Sequence, residues 1–131
     1  MTIPTPNFPL FLSEAWWQLI LDNWNTHASR STLGGLGVVA FETEGGGFNA
    51  VTVRFAEEGT AELVDPSTPL IGRFRATEAN WRSFIFGRFS ATEGVVRGRI
   101  QFAGSYFHVL RYANAFDTFA QAASRFLKPV E

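Results

Sequence analysis

The sequence predicts an α+β fold, in which helices cover one face of a five-stranded, largely antiparallel sheet. Four short strand-like segments lie between residues 34 and 76, the second of them with clean apolar and polar alternation, and turn residues separate them at hairpin spacing. Apolar residues recur at helical spacing before and after this stretch. Hairpin-length connections favour antiparallel strands, and helices segregated along the chain must cover the same side of the sheet. The length of 131 residues fits a single domain spanning 1–131.

The N-terminal region is predicted to be an extended arm followed by a helix. Three prolines lie within residues 1–12, and each fixes φ and biases its neighbour away from helix. Ser13 is a good N-cap, and Glu14 places a negative charge in the first turn. We therefore expect a helix from Glu14 to about Asn25. Its apolar stripe consists of Trp16, Trp17, Leu19, Ile20, Leu21 and Trp24.

Four strands follow at hairpin spacing. A small, polar loop at 28–33 precedes the first strand. The expected strands are Gly34–Glu44, Asn49–Ala56, Ala61–Val64 and Leu70–Ala76, separated by Gly45–Gly47, Glu58–Gly59 and Asp65–Pro69. Alternation in the second strand places Val51, Val53 and Phe55 on one face, which we take to be the inward face.

In the second half of the chain, apolar residues recur at helical spacing again. Thr77 can cap a helix that runs to about Phe86, with Trp81, Phe84 and Ile85 on one face and Gly87 at its end.

Ser90 and Glu93 have capping-box spacing for a short helix, which Gly94 or Gly98 would end. Arg99–Phe102 is the predicted fifth strand, with Ile100 and Phe102 as apolar positions.

The last segments are a region that fits either helix or strand, Tyr106–Tyr112, and a terminal helix of about Asn114–Leu127. The terminal helix carries an apolar stripe of Phe116, Phe119, Ala120, Ala123, Phe126 and Leu127. This stripe either covers the sheet or forms the wall of a cavity.

Composition excludes several classes of chemistry. The chain has 14 Phe, 4 Trp and 2 Tyr beside only 2 His and no Cys, so thiol catalysis and Cys-based metal sites are absent. A net charge of -1 gives no general case for nucleic-acid binding. Apolar runs are too short to span a membrane, and the N-terminus lacks the basic start of a signal peptide. We expect a cytoplasmic protein that needs no metal or cofactor and makes at most transient membrane contact.

One ordered set of motifs resembles a known family. Residues 70–104 read LIGRFRATEANWRSFIFGRFSATEGVVRGRIQFAG. This segment predicts a strand, a helix with an aromatic and aliphatic face, a Gly, a short helix and a closing strand from Gly98 to Gly104. The FLSEAWW segment at 11–17 is similar to the first helix of many bacterial members, and GLGVVAFET at 35–43 to their first strand. In this order the chain resembles the sterol carrier protein 2-like (SCP2-like) domain family.

The resemblance implies a tunnel for an apolar ligand between sheet and helices. Members of the family bind sterols, fatty acyl chains or related lipids, or serve as accessory domains of lipid-handling and quinone-making systems. It implies for this chain the binding, carriage or presentation of a lipid-like or isoprenoid-like molecule, with a partner enzyme as a further possibility. The expected tunnel residues are Val51, Val53, Phe55, Ile100 and Phe102 as floor, Trp81, Phe84 and Ile85 as one wall, and Phe116, Phe119 and Phe126 as lid. Tyr106, His108 and Arg111 are the expected polar groups at the mouth.

Two other functions remain open from the residues. A small enzyme or accessory subunit on the same scaffold would use His108 as acid or base, oriented by Asp117 or Tyr112. A solidly packed interaction subunit would hold no ligand. The strand arginines Arg54, Arg73, Arg75, Arg97 and Arg99 fit an outer sheet face with cross-strand ion pairs, or an anion or partner-docking patch.

Overall fold

Five strands and five helices make up the part of the chain that the computed structural model describes, residues 8–45 and 49–127. The strands are β1 Gly37–Glu44, β2 Asn49–Phe55, β3 Ala61–Leu63, β4 Gly72–Thr77 and β5 Gln101–Gly104. The helices are α1 Glu14–Trp24, α2 Glu78–Ile85, α3 Ala91–Val96, α4 Tyr106–Leu110 and α5 Ala113–Ala123. Short 3-10 turns occupy Arg30–Leu33 and Ser124–Phe126. Residues 1–7 of the predicted arm at 1–12 and the turn residues Gly46 and Gly47 lie outside the described residues.

The strands form one mixed sheet in the order β3-β2-β1-β4-β5. Three neighbouring pairs are antiparallel, and β1 and β4 are parallel. The α+β class with a largely antiparallel five-stranded sheet is therefore confirmed.

The third and fourth strands do not pair, although they follow each other at hairpin spacing. β3 lies at one edge, and residues 64–71 carry the chain past β2 and β1 to the far side of β1. Leu63 pairs with Val53, Val53 with Val39 and Val39 with Gly72, so β3 ends in the residue row in which β4 begins. The connection has only to span about 14 Å sideways, three strand spacings, so a short segment suffices.

The helix starts follow the predicted capping residues. Ser13, Thr77 and Ser90 each accept a hydrogen bond through the side-chain oxygen from the amide three residues later. The uncertain segment after residue 105 is helical, as α4.

Of the two glycines expected to end α3, Gly94 lies buried inside the helix, and Gly98 follows the C-cap residue Arg97 with φ +74°. Two other element assignments differ from expectation. Arg97 and Arg99 lie in the turn that precedes β5 rather than on a strand. The terminal helix ends at Ala123 and is followed by a 3-10 turn.

Indole N–H groups join the helices to distant backbone. Trp24 Nε1 donates to the carbonyl of Gly59 at 3.1 Å, and Trp81 Nε1 donates to the carbonyl of Glu42 at 3.0 Å. Both bonds are buried, where an unpaired N–H would cost about 1–3 kcal/mol. They therefore fix α1 against the β2–β3 turn and α2 against β1.

The outer face of the sheet carries cross-strand ion pairs. Arg54 Nη1 lies 3.1 Å from Glu62 Oε1, its register partner on β3. Arg75 Nε lies 3.4 Å and Arg73 Nη1 3.8 Å from the carboxylate of Glu42 on β1. Arg54 and Glu62 are both exposed, so this pair contributes a few tenths of a kcal/mol. Glu42 is buried, so Arg73 and Arg75 compensate a carboxylate that has lost most of its contact with water. The helices occupy the opposite face, where the buried aromatic residues lie.

Gly59 offers a test of how the β2–β3 turn packs against the 3-10 turn at Arg30–Leu33. It has φ +87°, and a Cβ there would overlap the carbonyl oxygen of Arg30. We expect Gly59→Ala to lower the free energy of unfolding by about 3 kcal/mol or more, since it adds a steric clash to the strain of positive φ. Gly87→Ala is the control: φ is +75° but no atom lies within 4 Å of the added Cβ, so the loss should be about 1–2 kcal/mol. Urea denaturation measures both, and equal losses would contradict this account.

Candidate functional site

A row of aromatic rings crosses the inner face of the sheet, with one ring on each of three adjacent strands. Phe41 on β1 pairs in register with Phe74 on β4, and Phe74 pairs with Phe102 on β5. The ring centroids are 5.7 Å and 5.0 Å apart, respectively. We call these three residues the aromatic row. It forms the floor of the candidate site.

A cleft lies above the β4–β5 end of this row. Its volume is about 40 Å³, and short helices α3 and α4 form its sides with the first turn of α5. Its surface is almost wholly apolar, and the hydroxyl groups of Thr92 and Tyr106 are the polar side-chain groups among its lining residues. The lining residues are Phe74, Ala91, Thr92, Val95, Phe102, Tyr106, Val109, Leu110, Ala113 and Phe116.

A second, inner cavity of about 20 Å³ continues from the cleft toward β1 and α2. The two spaces share four wall residues, Phe74, Ala91, Val95 and Phe116. Phe41, Trp81, Phe84 and Ile100 complete the inner cavity. The two spaces thus adjoin within one apolar layer between sheet and helices.

An open groove lies beyond the inner cavity, between the α2–α3 loop and α5. Its volume is about 410 Å³, and its lining includes the polar side chains of Ser90, Asp117, Gln121 and Ser124. Phe84 borders both the groove and the inner cavity. The sequence of spaces is therefore cleft, inner cavity and groove, with Phe84 separating the last two.

The α3 wall is held by polar and steric contacts of specific residues. Asp117 Oδ1 on α5 accepts a hydrogen bond from the amide of Ala91 at 2.7 Å, which supports the first turn of α3. Gly94 allows close packing behind this wall, because a Cβ there would lie 2.8 Å from the ring of Phe89. These contacts place Ala91 and Val95 over the aromatic row.

The structure brings together half of the twelve predicted ligand-binding residues, namely five of the tunnel residues and Tyr106 from the mouth. Those that line the cleft or the inner cavity are Trp81, Phe84, Ile100, Phe102, Tyr106 and Phe116. Ile85 lines the outer groove instead.

The other predicted tunnel residues lie elsewhere in the core. Phe55 and Phe119 pack at 6.0 Å from each other beside Trp24, under α1. Val53 is fully buried, and Val51 is buried beside its register partner Phe41. Phe126 packs edge-on against Phe8 at 5.9 Å. None of these five residues lines the cleft or the inner cavity.

The predicted polar residues near the mouth do not form an acid–base group. His108 Nε2 lies 3.1 Å from the carbonyl oxygen of Leu36, and its ring packs against Tyr112 at 5.6 Å. The Tyr112 hydroxyl in turn donates to the carbonyl of Gly34 at 3.1 Å. Asp117 is bonded to Ala91, and Arg111 is exposed after α4. Of these residues, none is among those that line the cleft.

Sequence reasoning missed several lining residues, chiefly Phe41, Phe74, Val95 and Val109. Phe74 shows the signal that could have found it, because it alternates with outward Arg73 and Arg75 on β4. That Phe41 lies beside Phe74 depends on the parallel register, which the sequence did not reveal.

The described residues hold no group of His, Asp and Glu that could bind a metal ion. Lowered pKa values occur at two exposed turn carboxyls: the Thr60 hydroxyl lowers the pKa of Glu58, and hydrogen bonds from Ser67 lower the pKa of Asp65. Neither residue lines the cleft. Across residues 8–45 and 49–127, no helix has the length and apolar character needed to cross a membrane.

Comparison with known proteins identifies the fold through structure. No family model matches the sequence, and no curated protein matches it. A crystal structure of sterol carrier protein 2 aligns with 90% of this chain and 100% of its own, with a TM-score of 0.75 and 19% identity. The solution structure of a conserved hypothetical protein from Thermus thermophilus, described as a candidate sterol carrier protein, covers 97% of this chain and 96% of its own, with a TM-score of 0.73 and 20% identity.

A third similar structure is the UbiJ-SCP2 ubiquinone synthesis protein, which covers 81% of this chain and 90% of its own at 16% identity and a TM-score of 0.57. These similarities show that the chain has the sterol carrier protein 2 fold. They confirm the fold that the sequence resemblance implied.

Asp117 provides a test of the α3 wall. Asp117→Ala removes the acceptor for the Ala91 amide, and a hydrogen bond to a charged group contributes about 1.5–3 kcal/mol. We expect a loss of unfolding free energy in that range and faster hydrogen exchange at Ala91. Asp117→Asn keeps an acceptor oxygen and should lose less than half as much. Urea denaturation and amide exchange measure the two effects, and an unchanged Ala91 exchange rate in Asp117→Ala would refute this role.

Proposed function

We propose that the protein binds an elongated apolar ligand between its sheet and helices and carries or presents it. The observation that carries the proposal is the apolar layer itself: the cleft and the inner cavity adjoin, and aromatic and aliphatic side chains line both. A ligand there would gain about 25 cal/mol per Å² of apolar area removed from water, less the cost of ordering it.

The spaces must widen before a lipid-sized molecule can bind. Ligand sites usually measure about 300–1,000 Å³, whereas the cleft and the inner cavity measure about 40 Å³ and 20 Å³. Phe116 borders both spaces, and Phe84 borders the inner cavity and the groove. Rotation of these two rings would join the three spaces into one passage, so we assign them the role of internal gates.

The walls near the mouth are the parts best suited to move. α4 has five residues, and neither α4 nor α5 has a side-chain hydrogen bond at its N-cap. A helix of five residues gains little stability from its own hydrogen bonds and opens at low cost. The predicted lid, the terminal helix, would therefore move together with α4 at its N-terminal end.

The scarcity of polar groups sets the ligand class. Thr92 and Tyr106 offer hydroxyls near the mouth, sufficient to orient a single hydroxyl, carbonyl or carboxyl group of the ligand. Relatives of the same fold are described as sterol carrier proteins and as a ubiquinone synthesis protein. A sterol, acyl or isoprenoid-like ligand, presented to a partner enzyme, agrees with both the chemistry of the walls and these descriptions.

Catalysis by His108 has no supporting observation. Its Nε2 is already bonded to the Leu36 carbonyl, and it does not border the cleft. Binding is therefore the function that we propose.

The first test is whether the purified protein retains a ligand. We expect native mass spectrometry to show bound mass that organic extraction releases as a lipid or a prenyl-type molecule. We also expect cis-parinaric acid to bind, with energy transfer from Trp81 in the wall of the inner cavity. Protein that carries no lipid and whose tryptophan fluorescence does not respond to fatty acid, sterol or quinone would contradict the proposal.

A matched pair of substitutions on α5 tests where the ligand binds. Ala113 lines the cleft and Asn114, the next residue, is exposed. Ala113→Leu fills much of a space of about 40 Å³, so we expect affinity for cis-parinaric acid to fall about tenfold or more. Asn114→Leu adds a leucine side chain to solvent and should bind as the unmodified protein does. Equal affinity of the two variants would place the site elsewhere.

A further inference from the structure

Helix α4 exposes apolar side chains beside the mouth of the cleft. Phe107 is 80% exposed and Leu110 is 44% exposed, although both are large apolar residues. Val96, which follows the α3 wall residue Val95, is 72% exposed. Tyr106 is half-exposed and Leu110 also lines the cleft, so the exposed surface continues into the cleft. We call Val96, Tyr106, Phe107 and Leu110 the mouth surface.

The three mouth-surface residues on α4 belong to an amphipathic helix and not to a loosely packed end of the chain. Val109 is buried against the core, and His108 is half-buried at the Leu36 carbonyl. The ring of Tyr106 lies 6.2 Å from Phe102 and 5.8 Å from Phe107. The aromatic row therefore extends without a break from the buried sheet face to the exposed ring of Phe107.

Charge around this surface has one sign along the chain. Between residues 94 and 116 the sequence has three arginines, Arg97, Arg99 and Arg111, and no Asp or Glu, although the whole chain has a net charge of -1. Two carboxylates flank this segment, Glu93 and Asp117. The Asp117 carboxylate accepts a hydrogen bond from the Ala91 amide. Arg97 directly follows Val96, and Arg111 directly follows Leu110. Positive charge thus borders the exposed apolar residues on both elements.

We propose that the mouth surface docks onto the surface of an anionic lipid bilayer. Exposed aromatic and aliphatic side chains of an interfacial helix insert at the boundary between headgroups and acyl chains, while nearby arginines contact lipid phosphates. The four exposed residues are few for a stable protein interface, which buries about 800 Å² on each partner. A bilayer contact needs only a few inserted side chains and a basic border.

Docking would give the ligand a route into the cleft, and this role rests on the proposed function. With the mouth surface against the bilayer, the cleft would open toward acyl chains and not toward water. A hydrophobic molecule could then pass between bilayer and cleft without exposing its carbon chain to solvent, which would otherwise oppose transfer. The bilayer is then the source or the destination of the ligand.

Vesicle binding tests the proposal directly. The purified full chain should sediment with vesicles of phosphatidylglycerol and phosphatidylcholine in a 1:3 ratio, and at least tenfold less with phosphatidylcholine alone. The double variant F107S/L110S should lose at least tenfold in partition to the mixed vesicles. Leu10→Ser is the matched control, because Leu10 is 81% exposed but lies outside the mouth surface, and it should bind as the unmodified protein does. Equal binding by F107S/L110S and Leu10→Ser would overturn the proposal.

A charge variant separates docking from ligand binding. Arg111→Glu should reduce partition to the mixed vesicles about fivefold or more, because one basic residue near an anionic surface contributes about that factor and the glutamate adds repulsion. Arg125→Glu, an exposed arginine in the 3-10 turn after α5, should have no such effect. Both variants should bind cis-parinaric acid normally. Failure of all forms to bind vesicles, with intact binding of the fatty acid, would refute docking and leave the proposed function standing.

A second copy of the chain is the competing partner for the mouth surface, and the oligomeric state of the purified protein tests it. If the mouth surface instead joins two copies of the chain, size-exclusion chromatography will show a dimer that F107S/L110S converts to a monomer, and vesicles will not retain the protein. That result would overturn the bilayer proposal.

Discussion

The aromatic row determines how the rest of the molecule is arranged, because three large rings side by side on one sheet face must be covered. Phe41, Phe74 and Phe102 lie in register on β1, β4 and β5. Trp17 from α1 stacks on Phe41 at 4.8 Å, so the β1 end of the row is closely covered by a long helix. The β5 end is covered by α3 and α4, which have six and five residues. Helices this short present too few side chains to fill the space, and the cleft and inner cavity result.

The core thus divides into a filled part and a part with open space. Trp24, Phe55 and Phe119 pack together under α1, and the bond from the Trp24 indole to Gly59 fixes this packing. Side chains at protein-like density leave no room for a ligand there. The apolar surface near α3 and α4 packs less completely and gives up dispersion contacts. We expect most of the stability to come from the first part, which would let the second part open without unfolding the sheet.

The difference between what the sequence predicted and what it missed has a physical cause. Local signals were sufficient for the caps at Ser13, Thr77 and Ser90, because a cap depends on residues only three positions apart. The parallel pairing of β1 with β4 depends on where residues 64–71 cross the sheet, and spacing alone does not encode that path. Six of the predicted ligand-site residues line the cleft or the inner cavity, on α2, α4, α5 and in or just before β5. The candidates Val53 and Phe55 face inward as expected, but which helix covers each position is a tertiary property.

The mouth surface also results from the incomplete cover that the short helices α3 and α4 give to the aromatic row. An aromatic row that ended at the rim of a filled core would bury its last ring, as Trp17 buries Phe41. Here the ring contacts continue from Phe102 through Tyr106 to Phe107, and Phe107 is exposed to solvent. An exposed phenylalanine gives up burial worth about 1.5–3 kcal/mol, so packing alone does not account for a helix that presents one beside a cleft. The proposed bilayer contact would cover Phe107 and would account for the exposed ring, the open cleft and the bordering arginines together.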